Sequence, residues 1–135
     1  MALPPEQSEY LKSHTQGIFA TGKRDGSPQL STINYRYDGE QILLSATLDR
    51  AKFKNAMRNK SVCLLVPGAN GSQVVVYGKA EGITEPMERT RLTRYLREVG
   101  PNPAGPDEAA YHAMLEEQKR VVIRIIPERA FLTIM

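Results

Sequence analysis

The stretch GIFATGKRDGSPQLSTINYRYDGEQILLSAT, residues 17–47, carries three runs suited to β-strands, at 17–23, 28–37 and 41–47, separated by Asp25-Gly26 and Asp38-Gly39. Asp-Gly between such runs is a hairpin signal. Two hairpins in succession predict three antiparallel strands.

Working outward, LDRAKFKNAMRNK (48–60) places Phe53, Ala56 and Met57 at helical spacing, with Asp49 as the expected cap. SVCLLVPG (61–68) reads as a strand, and Asn70-Gly71 turns the chain into a long strand, SQVVVYGKAEGITE (72–85), whose glycines 78 and 82 suit bends in a barrel wall. PPEQSEYLKSH near the start reads as a short helix. PMERTRLTRYLREVG (86–100) begins with Pro, ends with Gly and lines Leu92, Tyr95, Leu96 and Val99 along one face, as an amphipathic helix does. A Pro-rich loop (101–106) leads to DEAAYHAMLEEQK (107–119), a helix expected to turn Ala110, Tyr111, Met114 and Leu115 inward. RVVIRIIPERAFLTIM (120–135) closes as a strand that bends at Pro127. Hairpins outnumber βαβ units, so the reading is one mainly β domain over 1–135 with short helices, a six-stranded antiparallel barrel.

With 135 residues, a formal charge of +3 and a pI near 9.1, the composition permits an anionic ligand, a membrane surface or nucleic acid without requiring any of them. Cys63 is the only cysteine, which excludes a disulfide framework and a cysteine-based zinc site, and a reducing cytoplasm is the expected location. No apolar run approaches the roughly 20 residues that span a bilayer, and nucleotide-loop, dinucleotide, zinc-protease and serine-hydrolase motifs are absent. His14 and His112, each expected on a helix without ligand-spaced neighbours, read as structural.

The basic stretch is the exception. If Asp49 caps the helix, Arg50 and Lys52 fall in its first turn, where a cation is disfavoured by roughly 0.3–1 kcal/mol. Free backbone N–H groups at that end, together with a bidentate arginine and a compact lysine, form a pocket for phosphate or carboxylate. Asn55 lies near enough on the helix to assist. Arg58 and Lys60 suit the helix C-terminus, and Lys54 is expected in solvent.

The ordered series GIFATGKRDGSPQLSTINYRYDGEQILLSAT, R-x-K-x-x-N at Arg50, Lys52 and Asn55, SVCLLV and VYGKAEG resembles the flavin-binding split β-barrel superfamily typified by pyridoxine 5′-phosphate oxidase. The closer likeness is to its small branch of oxidoreductases that use the deazaflavin F-420. The resemblance covers about 9–85 and, more weakly, RVVIRIIPERAF. It implies a homodimer of split barrels with two cofactor sites at the interface. Arg50 and Lys52 would then hold the cofactor phosphate with Asn55 beside it, Ser31 would lie along the ring, and Ser45 and Thr47 would lead into the phosphate site. The partner subunit would supply Tyr77 and Lys79. Ala51 between the two cations, and a carboxyl end without the substrate-reading Arg and His, depart from the oxidase and argue against pyridoxine phosphate oxidation.

The implied activity is hydride transfer by F-420, with FMN as the alternative, to an unidentified small organic substrate. The proton would come from water or from a tyrosine such as Tyr35 or Tyr37, a choice left open at this level. A cofactor carrier or sensor without turnover is the rival within the family. Nucleic-acid binding is the rival outside it, disfavoured because the cations are not interleaved with exposed aromatics.

Overall fold

Alternating apolar positions along the hairpins turn one set of side chains inward, and the computed structural model of the protein, which describes residues 3–134, closes them into a barrel. Strands β1 (Gln16–Gly22), β2 (Pro28–Tyr37) and β3 (Ile42–Thr47) are joined by the two expected turns, with Gly26 and Gly39 at positive φ. The chain then forms helix α1 (Pro5–Lys12) before β1, helix α2 (Ala51–Arg58) after β3, and strands β4 (Ser61–Pro67) and β5 (Gln73–Ile83) around Asn70-Gly71. Helices α3 (Pro86–Leu96) and α4 (Glu108–Glu117) precede β6 (Arg120–Thr133), which completes the antiparallel order β1-β2-β3-β6-β5-β4. Residues 1, 2 and 135 of the expected single domain lie outside the described residues.

Phe19, Ile33, Tyr35, Leu44, Leu64 and Ile123 fill the interior. α1 closes one end: Leu11 is fully buried, and the Tyr35 hydroxyl donates to its carbonyl at 2.8 Å. α2 closes the other, inserting Phe53 and Ala56 into the same core. Outside the barrel, Leu92 and Leu96 of α3 pack on Leu43 of β3 and Val122 of β6. The buried Arg89 joins α3 to α4 and β6, meeting Glu116 at 2.6 Å and donating to the Arg120 carbonyl at 2.8 Å.

Three local expectations are corrected. The amphipathic helix stops at Leu96, short of Gly100. In α4 only Tyr111 and Leu115 are buried; Ala110 and Met114 face outward because the helix contacts the body along a single narrow stripe. His14 lies just beyond α1, stacked on Tyr10 at 4.2 Å between ring centroids, and His112 has a carboxylate neighbour in Glu116 at 3.8 Å.

The bend near Pro127 is a β-bulge. Tyr77 faces Arg129 whereas Gly78 faces Pro127, so Glu128 is extra on β6. The backbones cross closely there: a Cβ on Gly78 would stand 2.4 Å from the Ile126 carbonyl oxygen.

Two junctions are held by only three residue pairs each, β1–β4 through Ile18–Leu65, Phe19–Leu64 and Ala20–Cys63, and β2–β3. β2 pairs with β3 only through Tyr35–Leu44, Arg36–Leu43 and Tyr37–Ile42, although β2 stays paired with β1 as far as Pro28 and β3 with β6 as far as Thr47. Residues 28–34 and 45–47 therefore border an open seam in the barrel wall.

The outer face of the wall that runs from β2 through β1 and β4 to β5 and β6 is apolar. Leu30, Tyr77 and Phe131 are 65%, 39% and 55% exposed, and Ile18, Cys63, Leu65 and Val75 between them are half-buried. The strand register sets them in two neighbouring rows, Leu30–Ala20–Cys63–Tyr77 and Ile18–Leu65–Val75–Phe131.

Gly78→Ala should destabilise the fold by about 1–3 kcal/mol, the scale of an overpacked contact, because the obstruction is backbone. Urea denaturation checks this; an unchanged midpoint would mean that the crossing has room to spare.

Candidate functional site

The seam is flanked by the N-terminus of α2, which lacks the expected cap. Arg50, with extended φ and ψ of −90° and 154°, occupies the cap position and no side chain accepts from the first turn. Asp49 turns instead toward Lys119, with its Oδ2 4.0 Å from the ammonium. The first turn holds no acidic residue, so a positive helix end carries Arg50 at its cap and Lys52 at its second position.

Two adjoining cavities occupy this region. One, of about 410 Å³, is lined by Gln29, Ser31, Thr47, Arg50, Lys52 and Arg120. The other, of about 220 Å³, lies toward the end of α3, between Thr32, Asn34, Ser45, Arg97, Asn102 and the same Lys52 and Arg120. Thus the structure brings Arg50, Lys52, Ser31, Ser45 and Thr47 together around the seam. It adds two residues that sequence reasoning missed, Arg97 and Arg120. Arg120 pairs with Thr47 across the β3–β6 ladder, and its only sequence signal was its place at the head of the last strand. Nothing local marked Arg97.

Neither cavity is lined by Asp or Glu. Burial, then the charges of Arg120 and Arg50, holds the Lys52 ammonium below its ordinary range. Burial, then Arg97 and Arg50, likewise lowers Arg120. Crowded, partly desolvated cations with no acid among them are unfavourable in isolation, and an anion offsets both causes at once. Ser45 Oγ adds a buried hydroxyl with no hydrogen-bond partner. The donor set fits a phosphate: guanidinium forks, an ammonium, hydroxyls and free helix N–H groups.

The remaining sequence candidates sit elsewhere. Asn55 is buried and fully engaged: its Nδ2 donates to Gln29 Oε1 at 2.7 Å and toward Thr21 Oγ1 at 3.4 Å, while its Oδ1 accepts from Arg58 at 2.9 Å. Arg58 is therefore more than a solvated charge. It also donates to the Gly22 carbonyl at 2.7 Å, fastening α2 to the end of β1. Tyr77 and Lys79 lie on the outer face of β5, away from the seam, with Lys79 donating to Ser61 Oγ at 2.6 Å and Tyr77 edge-on to Phe131. Tyr35 and Tyr37 donate to the carbonyls of Leu11 and Gly39, and burial raises the Tyr35 phenol well above its usual range. Tyr35 points toward α1, at the end of the barrel opposite α2, so it is badly placed to deliver a proton at the seam. Among the described residues no cluster of His, Cys, Asp or Glu is suited to a metal ion, and no helix is long and apolar enough to cross a membrane.

Comparison with known proteins gives a family match over nearly the whole chain: residues 3–133 fit the family described as pyridoxamine 5′-phosphate oxidase. Among solved structures, a conserved hypothetical protein from Mycobacterium tuberculosis aligns at 25% identity and a TM-score of 0.78, covering 98% of this chain and 86% of the other. An F-420 reductase aligns at 23% identity and a TM-score of 0.71, covering 96% and 98%. General stress protein 26 from Bacillus anthracis aligns at 13% and 0.66, covering 94% and 91%. The last two establish likeness of fold alone.

Because the folded state depresses Lys52 below its ordinary 10.5, the native protein binds fewer protons than the unfolded chain between the two values, and stability rises with pH across that window. Compared with Lys52→Met, which lacks that proton, the ligand-free wild type should gain stability as the pH rises toward the ordinary lysine value of 10.5, followed by urea denaturation. A difference that stays flat with pH would mean that Lys52 is not strained by its neighbours.

Proposed function

This chain belongs to the pyridoxamine 5′-phosphate oxidase family, and we propose that it is an oxidoreductase binding the deazaflavin F-420 by its phosphate at the seam, with FMN as the alternative cofactor. The observation that carries the reading is the convergence of Arg50, Lys52 and Arg120 on an uncapped helix N-terminus with no acidic residue lining the cavity. When bound, such a cofactor supplies hydride chemistry to a small organic substrate.

The chain's own part is binding and positioning. Arg50 and Arg120 grip phosphate oxygens with guanidinium forks while Lys52 supplies a point charge. Ser31 and Thr47 line the same cavity, and Ser45 the adjoining one, where their hydroxyls are available to ligand oxygens or nitrogens. Along the seam, the β2 and β3 edges lack each other as ladder partners, so the backbone donors and acceptors of alternate residues within 29–33 and 45–47, those not turned to β1 or β6, face the cleft and can read the edge of a planar ring. Asn55 acts indirectly, locking α2 against β1 and β2 so that its N-terminus stays aimed at the cavity.

A homodimer is part of the proposal. An apolar sheet face made of Leu30, Ile18, Leu65, Val75, Tyr77 and Phe131 is costly in water, and a second copy covers it. In that arrangement Tyr77 and Lys79, remote from their own seam, complete the partner's site. The preference for F-420 rests on its acidic oligoglutamate tail, which the net charge of +3 and the exposed Lys54 attract. A carrier or sensor that binds without turnover is the alternative within the same site; the mixture of names among structural relatives, including a stress protein, keeps that reading in view.

Fluorescence titration with F-420 and with FMN tests the assignment, and binding of neither would discard it. Arg50→Ala and Lys52→Ala should each weaken cofactor binding by about 1.5–3 kcal/mol. Arg58→Ala should lower the melting temperature while changing affinity little, since its bonds are to Gly22 and Asn55. Equal losses of affinity at all three positions would refute a localised pocket. For the dimer, Leu65→Arg should yield a monomer in sedimentation measurements and weaken cofactor binding with it; a wild type that sediments as a monomer would remove the second copy from the site.

A further inference from the structure

We propose that the smaller cavity is a second, separate oxyanion subsite, built for a carboxylate, so that the protein takes two acidic groups at once: a phosphate at Arg50 and a carboxylate at Arg97, with Lys52 and Arg120 between them. The proposal rests on the phosphate reading of the larger cavity and extends it.

Three observations support it. The cations outnumber what one phosphate neutralises: four line the paired cavities, no carboxylate lines either, and a phosphate monoester brings roughly −1.5 to −2. Arg50 borders only the larger cavity and Arg97 only the smaller, whereas Lys52 and Arg120 border both, which describes two places for negative charge and a shared wall. Finally, the smaller cavity is where the unpartnered Ser45 hydroxyl lies, a buried donor that a ligand oxygen would satisfy.

The chemistry of the smaller cavity favours a carboxylate. Its volume, about 220 Å³, is roughly half that of its neighbour at about 410 Å³. Beyond the Lys52 and Arg120 it shares with the larger cavity, its donors are the Arg97 guanidinium, whose planar fork matches a carboxylate's two oxygens, and neutral groups such as Ser45 and Asn102. Arg97 is held at the end of α3, with Nη1 3.3 Å from the Tyr111 hydroxyl, so the charge is positioned by the fold before any ligand arrives.

The carboxylate has two possible sources, an arm of the phosphate-bearing cofactor or a separate acidic substrate, and the chemistry of recognition is the same for both. The test uses inorganic phosphate as a general oxyanion probe, followed by amide chemical shifts. Wild type should show two responding groups, one around Arg50 and Ala51 and one around Arg97 and Asn102. Arg97→Gln should weaken the second response about tenfold or more, the effect of one lost charge-assisted hydrogen bond, and leave the first in place. Arg50→Gln should do the reverse, and Lys52→Gln should weaken both. Tyr111→Phe, which removes the partner of Arg97 but not its charge, should preserve both responses and so separates charge from structural support. A single response that Arg50→Gln abolishes everywhere would overturn the second subsite while leaving the phosphate pocket standing. Loss of the response around Arg50 in the wild type would instead overturn the phosphate pocket. Saturation with F-420 then assigns the source: both groups respond if the carboxylates are on the cofactor, and the Arg97 group stays free for added acetate if they are on a substrate. Failure of every anion to perturb Arg97 and Asn102 would end the proposal.

Discussion

The parting of β2 from β3 after three residue pairs is the constraint on which the site depends. Each strand has a stronger attachment elsewhere. β2 is laddered to β1 along its outer half, and Gln29 is tied by Asn55 to the helix that plugs the barrel. β3 is laddered to β6 from Ile42 to Thr47. A strand cannot follow two diverging neighbours, so the wall opens between them, and the opening is wide enough to be lined by side chains from β2, β3, α2 and β6. The barrel tolerates the open seam because its two ends are sealed by Leu11 and Phe53 and the strands away from it stay paired around the closed order, β5 with β6 over the longest stretch.

The charges at this opening are arranged against the interest of the folded chain alone. A cap residue at the start of α2 would have contributed about 0.5–2 kcal/mol, yet an arginine stands there. Lys52 and Arg120 repel each other and Arg50 from half-buried positions. Elsewhere the protein treats charge conventionally: Arg89 meets Glu116, Arg36 meets Glu98, and Arg94 meets Glu108. The contrast separates a stabilising use of arginine from one that anticipates a ligand.

Much of the barrel was legible because its signals are local. Asp25-Gly26, Asp38-Gly39 and Asn70-Gly71 each mark a turn through a glycine's freedom at positive φ, and alternation of side chains assigns the inward face without knowledge of the partner strand. The seam left no such mark, since a missing ladder bond changes nothing in composition. Arg50 and Lys52 were legible because a helix end makes their sign conspicuous. Arg97 and Arg120 reach the same place from distant parts of the chain. Asn55 was read as a ligand group from its spacing, but spacing does not show which side of an eight-residue helix faces the barrel. Asp49 was read as the cap by residue type; its pairing with Lys119 and the later start of the helix depended on the neighbouring β6 approach.

The strand order carries a consequence for when the site comes into being. β6 is the last of the six strands in the chain, yet it is the only connection between β3 and β5. Until it docks, the other strands form an open sheet with two free edges, β3 and β5, and long-range pairing of this kind is slow compared with hairpin formation. Arg120 opens that same strand. Closure of the wall and completion of the cation cluster are thus a single folding event, and a chain that has not yet closed its barrel has no anion site to be rescued by a ligand.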